Sequence, residues 1–497
     1  MNQAETRPGL GVPVVGAVAR RDPHPTGATG AGHVLRTSRM SWVAVALFIG
    51  LHLPLALLMK FVPAVGTLHA LAALAIGIKW AWSGREVAKV SYVGAYITGS
   101  EIIWRAVGAS VFWEYGKYAL VLLFVVALVR SHRLRFPPLP TLYFLLLIPA
   151  ALITVVQVSL SEARNMLSFN LSGPLALAVS VVFFRGLKLS RRQFLRLMVG
   201  FIAPIVGMVA IILLGFATTE VTFGHESSAA ASGGFGANQV SALLGMGCVA
   251  AFLCVLDNKL RWELKVLFFG LVLEFAMQSA LTFSRAGVYY AATSITIACL
   301  LLMKHLRAAL QVSVALVLLF LLAYYVVYPR LDEFTGGALS ARFENTHLTG
   351  RAEIMDADLK IMEEHPIFGI GVGQAMHERA RFFKGFAAHT EFTRLLSEHG
   401  SLGCVAALLL VVMGIRNVLA AVTNRGRAVA ASLVTYSFCF MTGNGMRMVL
   451  PAFVFGLAAV TLVPDQRPAR RGHVSGPVRL ARPNRIVRAL DGPPHRA

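Results

Sequence analysis

Apolar runs of membrane-spanning length recur from residue 42 almost to the end of the chain, and no other feature constrains its fold as strongly. About fourteen can be marked, each long enough as a helix to cross a hydrocarbon core roughly 30 Å thick. They lie near 42–59, 65–82, 88–108, 112–129, 141–159, 167–184, 197–217, 238–256, 264–283, 286–303, 308–328, 398–415, 428–443 and 447–463. A lipid-exposed segment must satisfy its own backbone hydrogen bonds, so such runs imply helices. The expected fold class is therefore all-α: a polytopic transmembrane helix bundle. With 56% of residues hydrophobic and 14% charged, little chain remains for a water-soluble domain.

The formal charge of +22 raises nucleic acid as a partner, and its placement argues against that. Arg130, Arg133 and Arg135, then Arg185, Lys188, Arg191, Arg192 and Arg196, then Lys259, Arg261 and Lys265, and finally Arg425 and Arg427 fall in alternate connections between apolar runs. That alternation is an orientation signal, which predicts both termini in the cytoplasm. Residues 1–40 and 464–497 are rich in Pro, Gly and Arg without apolar periodicity and are expected to be disordered cytoplasmic tails, the second strongly basic. Between them the chain divides into a bundle of about eleven spans over 41–328, an external loop over 329–397 and three last spans over 398–463. Cys248, Cys254, Cys299, Cys404 and Cys439 all fall inside predicted spans, which argues against disulfides and against a cysteine metal site.

The external loop of about seventy residues stands out, because long loops in compact proteins are usually functional. Residues from Arg351 predict an amphipathic helix, with Ile354, Leu359 and Met362 apolar among acidic neighbours, stopped by Pro366. Gly369, Gly371 and Gly373 follow a helix rather than a strand and predict a flexible turn, not a dinucleotide site. Asp356 and Asp358 are two apart, so on a helix they diverge and a solvated face is the default reading. Helical spacing resumes after His389, with Glu391, Arg394 and Glu398 on one side. Arg285, Arg351 and His389 thus fall on one side of the membrane. Taken singly, an arginine there can snorkel to headgroups and a histidine can be a satisfied polar residue.

Ser284-Arg285-Ala286-Gly287, Gly350-Arg351 with its helix and Pro366-Ile367-Phe368-Gly369, His389-Thr390-Glu391-Phe392, and Leu396-Ser397-Glu398-His399-Gly400 together resemble the O-antigen ligase and O-antigen polymerase superfamily of bacterial membrane enzymes. The resemblance runs from about 238 to 405, where Asn238 matches an asparagine of the family, and it is topological elsewhere. It implies a glycosyltransferase of the bacterial inner membrane whose site faces the periplasm. The donor would be a polyprenyl-diphosphate-linked oligosaccharide, and the acceptor a second lipid-linked glycan or lipid A-core. A flippase and a chain-length regulator would be further partners. No metal ion and no cofactor is implied.

Under that reading Arg285 and Arg351 hold the diphosphate, since guanidinium forks match phosphate oxygens and keep their charge. His389 takes the acceptor proton or positions the acceptor. Arg394, Glu398, Asn238 and Arg447 are candidate substrate-binding residues. Glu398 either orients His389 or an arginine, or forms an ordinary helix pair with Arg394. Glu101 and Arg105, four apart in the third span, are expected to pair and spare the bilayer two lone charges. A flippase or transporter is the alternative class; it would place its charges along the midplane and needs no large outer loop.

Overall fold

The computed structural model describes residues 41–221, 223–224, 226–303, 306–344, 351–382 and 390–463. From the N-terminal side the helices are α1 (Trp42–Phe61), α2 (Pro63–Ser83), α3 (Val87–Ala106), α4 (Tyr115–Arg130), α5 (Pro138–Gln157) and α6 (Leu160–Phe184). A three-residue strand β1 (Lys188–Ser190) leads into α7 (Arg191–Thr218), followed by α8 (Ala237–Val255), α9 (Trp262–Leu281), α10 (Arg285–Leu302) and α11 (Val312–Phe334). The segment between α11 and the next long helix carries α12 (Ala338–Glu344), α13 (Arg351–Glu364) and α14 (Ala375–Glu378). The chain then closes with α15 (Glu391–Leu419), α16 (Asn424–Asn444), α17 (Leu450–Leu457) and strand β2 (Thr461–Val463). The all-α polytopic bundle expected from the sequence is what forms.

Ten helices among the described residues are long and apolar enough to cross a membrane, where the sequence suggested about fourteen. The four runs that fall short do so for physical reasons. Lys89, Glu101 and Arg105 make α3 too polar, and it is buried along much of its length. The 16 residues of α4 are too few, and α16 is long but polar. The final run yields only the eight-residue α17, which rises about 12 Å. It ends as β2, which pairs in parallel with β1 through Lys188–Thr461, Leu189–Leu462 and Ser190–Val463. That pairing brings the basic connection before α7 together with the end of the described chain.

The core lies along α7 and α8, whose residues are largely buried, while α11 presents Val314, Val317, Leu318, Phe320 and Leu321 outward as a lipid-facing surface would. One set of polar side chains inside the bundle forms a continuous hydrogen-bonded chain. Trp104 Nε1 donates to His69 Nδ1 at 2.9 Å, His69 Nε2 meets the Tyr96 hydroxyl at 2.6 Å, that hydroxyl meets His52 Nε2 at 2.9 Å, and His52 Nδ1 reaches the Phe48 carbonyl at 2.8 Å. An indole can only donate and a carbonyl only accept, so both imidazoles are assigned as neutral and every donor direction follows. The chain ties α1, α2 and α3. The expected Glu101–Arg105 pair forms at 2.7 Å.

One break in a helix positions everything discussed below. Within α15, Gly400 has φ 58° and ψ −136°, so the juxtamembrane turns 391–399 are offset from the apolar stretch after it. The break takes Ser401 N–H away from the helix, and it donates to Pro366 O at 2.8 Å. The carbonyls of Ser397 and Glu398 are instead met by Ile370 N–H at 3.1 Å and Gly371 N–H at 3.2 Å. Gly369, Gly371 and Gly373, with φ of 72°, 111° and 80°, form this strap. A Cβ on Gly369 would lie 2.2 Å from the carbonyl carbon of Glu398. The segment expected to be a flexible turn is thus a fixed buttress, because its donors replace the ones α15 has lost.

Candidate functional site

Behind the strap, α15 carries three charged side chains on one face, and all are buried. Arg394 Nε donates to Glu391 Oε2 at 3.1 Å and Nη1 to Glu398 Oε2 at 2.5 Å; Nη2 bonds Glu391 Oε1 and approaches the Asn170 carbonyl of α6 at 3.4 Å. The 3.6-residue period puts residues 391, 394 and 398 on one side, so the expected Arg394–Glu398 pair is present, but as part of a dry network. A surface pair of this spacing is worth a few tenths of a kcal/mol. Here each charge has lost its water and depends on the others.

The outer helix α13 docks on the same face. Its buried stripe is Ile354, Ala357, Asp358 and Ile361, while Leu359 stays exposed. Asp358 is wholly buried: Oδ1 accepts from Arg379 Nε at 2.7 Å and Oδ2 from Thr393 Oγ1 at 2.7 Å. Asp356, in contrast, is exposed and pairs with Lys360 at 2.7 Å. The solvated face read from the sequence therefore holds for Asp356 and fails for Asp358. The two carboxylates face different partners and do not converge on one ion. A signal was available, since an acid spaced four and three residues from Ile354 and Ile361 sits on the apolar stripe and requires a cation. Arg379 supplies that cation from the turn after α14, and nothing in the local pattern had singled it out.

These groups surround a cavity of about 80 Å³ lined by Phe169, Asn170, Arg379, Thr390, Glu391, Arg394, Glu398 and Arg447, among others. Arg447 enters from the short connection between α16 and α17, outside the helices. Burial and the neighbouring Arg379 guanidinium pull its pKa below the usual arginine range. Three arginines and two glutamates line the walls, and the Asp358 carboxylate bonded to Arg379 behind them brings the formal charge of the cluster to balance. The volume suits a few waters or one compact anionic group, a water occupying about 30 Å³ of liquid.

The structure places the other sequence-chosen residues as follows. Arg285 is the first residue of α10 and is not among those lining this cavity. Beside it, Ser284 Oγ donates to Asn238 Oδ1 at 2.7 Å. Gly287 lets α10 approach α8 so closely that a Cβ there would lie 1.9 Å from the Ser241 carbonyl oxygen. This gives the Ser-Arg-Ala-Gly run a packing reason for its glycine and a polar one for its serine. Helix α10 rests against α16, whose C-terminal end leads to Gly445 and Arg447. Arg351 opens α13, about two turns before Asp358; only its backbone is described. His389 lies outside the described residues, immediately before Thr390 of the cavity wall. Glu274 accepts from Gln278 Nε2 at 3.0 Å within α9.

Fold and site together define an integral membrane protein of many helices, in which the segment between α11 and α15 folds back to seal buried charges against the end of one long span. Residues 270–408 of the chain match the O-antigen ligase family. The matched stretch runs from α9 into the middle of α15 and takes in Arg285, Arg351, Asp358, Arg379, His389, Arg394 and Glu398; Asn238 and Arg447 lie outside it. No curated protein matches the chain. The match supports the resemblance read from the sequence motifs and an enzyme of the ligase or polymerase type.

Proposed function

We propose that this protein is a metal-independent, inverting glycan transferase that polymerises polyprenyl-diphosphate-linked repeat units of a surface polysaccharide or exopolysaccharide at the periplasmic face of the bacterial inner membrane. The observation that carries the reading is the set of Arg379 and Arg394, both buried and inside the matched region, with Arg447 beyond it, around one cavity beside Thr390. A departing diphosphate concentrates negative charge, and donors fixed in a dry site stabilise it where it forms. With Asp358 bonded to Arg379, the cluster has no positive charge in excess to balance a diphosphate, so the reading also calls on Arg285 and Arg351. In the transfer step the acceptor oxygen bonds to the anomeric carbon as the carbon–oxygen bond to the diphosphate breaks. The hydroxyl proton passes to His389, and the electron pair leaves on the diphosphate.

The family description favours a second reading, ligation of the finished glycan to lipid A-core. Purified protein incubated with a polyprenyl-diphosphate oligosaccharide and EDTA, with and without a lipid-core acceptor, separates the two. Longer lipid-linked chains indicate polymerisation; glycan found only on the core indicates ligation. Lack of any transfer, or transfer abolished by EDTA, refutes the metal-independent transferase.

A further inference from the structure

The cavity of about 80 Å³ is too small for a sugar, so the glycan needs another place to lie. A cleft of about 1090 Å³ shares Phe169 with it as a wall residue. It runs between α4, α5 and α6 and belongs to a part of the chain outside the family match. We infer that this cleft is an oligosaccharide subsite, that its occupant is the acceptor glycan, and that Glu114 is the residue that holds the sugar hydroxyls. The assignment to the acceptor rests on the transferase reading; the sugar chemistry of the cleft does not.

Three observations point to a sugar. Glu114 is 5% exposed and lines the cleft; its Oε2 bonds Lys117 at 2.5 Å and takes the Ser172 hydroxyl at 3.3 Å, while Oε1 has no partner among the described residues. A buried carboxylate oxygen without a donor is costly, and hydroxyls supply donors where a hydrocarbon chain cannot. Secondly, the aromatic residues Phe112, Trp113 and Phe169 are 58%, 51% and 39% exposed, which suits contact with the C–H faces of pyranoses. Asn165 adds an exposed amide to the same wall.

Thirdly, the platform is held rigidly and is tied to the arginine cavity. Arg105 lies over the Trp113 ring at 4.6 Å and donates to its carbonyl at 2.9 Å, while its other nitrogen reaches the Arg447 carbonyl at 3.3 Å. Glu101 pairs with Arg105 and accepts from Val449 N–H at 2.8 Å. The buried pair of the third predicted span thus joins the cleft to the connection that bears Arg447. An inverting transfer needs acceptor and diphosphate in separate places, and the two spaces share Phe169 as a wall residue.

The test uses the full-length protein in lipid nanodiscs. The probe is a water-soluble oligosaccharide released by mild acid from the cells' own surface polysaccharide. Phe112→Ala and Asn165→Ala change exposed groups and leave the fold intact; Glu114→Gln is the third variant. Saturation-transfer NMR reads binding of the soluble probe without turnover, and initial rates at saturating donor read the acceptor KM. We expect each variant to weaken probe binding and to raise the acceptor KM about tenfold, the effect of roughly one lost contact, with kcat within twofold and the donor KM unchanged. Probe binding that is indifferent to all three substitutions overturns the subsite even if transfer proceeds. A raised donor KM with an unchanged acceptor KM overturns its assignment to the acceptor. Probe binding lost in the variants of a protein that transfers nothing supports the sugar site and refutes the transferase reading alone.

Discussion

Replacing Asp358 with leucine tests whether α13 is held by a buried charge or only by its apolar stripe. The carboxylate is wholly buried and accepts from Arg379 and Thr393, both at 2.7 Å. Breaking such a pair from one side costs about 3–5 kcal/mol, because the opposite charge stays in a dry environment. Arg379 keeps other contacts, so the lower figure applies. About 3 kcal/mol, at 1.4 kcal/mol per tenfold, corresponds to an opening equilibrium roughly 10²-fold more favourable for the docked helix. Hydrogen exchange read by mass spectrometry on peptides covering 351–364 should therefore accelerate about a hundredfold in Asp358→Leu, while peptides of α7 and α8 stay unchanged. The double variant Asp358→Leu with Arg379→Met should recover most of the protection, since apolar replacement of a whole buried pair is often neutral. Exchange within a few-fold of wild type in the single variant, or no recovery in the double, would falsify the argument.

Gly287→Ala should destabilise the protein by about 3 kcal/mol or more, because a methyl group 1.9 Å from the Ser241 carbonyl must push α10 off α8; a thermal midpoint like that of wild type would contradict the packing described. For His389→Ala the account expects a loss of about 10² to 10⁴ in turnover with donor affinity retained, and an unchanged rate across pH would exclude proton transfer there. At the opposite end of the bundle, burial raises the pKa of Asp257, but the hydrogen bond from Arg191, the Arg425 charge and the Lys259 N–H outweigh it and hold the carboxyl below the usual aspartate range. Its stabilising contribution is therefore present at neutral pH and is lost as pH falls through that lowered value. The thermal midpoint of Asp257→Asn should lie below that of wild type at pH 7, and the gap should close as the solution is acidified below the usual aspartate range; a gap that persists into strong acid contradicts the assignment.

What the sequence revealed and what it hid divide along one line. Runs of apolar residues report length and side-chain preference, so the helices that meet lipid, such as α1 and α11, are visible directly. Helix α3 and α16 are buried among other helices and need not be apolar throughout, which blurs the count of spans. The Arg394–Glu398 spacing was readable because both residues lie on one helix. The Asp358–Arg379 contact was not, because it joins residues of separate elements across a turn of the chain. Likewise the glycines from 369 to 373 read locally as a loop, and only the break at Gly400 shows why their N–H groups are fixed in place. The large cleft is assembled from α4, α5 and α6, and no local pattern marks a space bounded by three elements.

Binding of the lipid-linked donor tests the central claim most directly, namely that the guanidinium groups of Arg285, Arg351 and Arg447 receive its diphosphate. The measurement is the affinity of a polyprenyl-diphosphate oligosaccharide for the full-length protein in nanodiscs, with EDTA present throughout, for wild type, Arg285→Ala, Arg351→Ala and Arg447→Met. Each substitution should weaken binding by roughly ten- to hundredfold, as expected for loss of one charge-assisted contact of about 1.5–3 kcal/mol, while membrane insertion is unchanged. Wild-type affinity in all three variants, or binding by the wild type that EDTA abolishes, would contradict it.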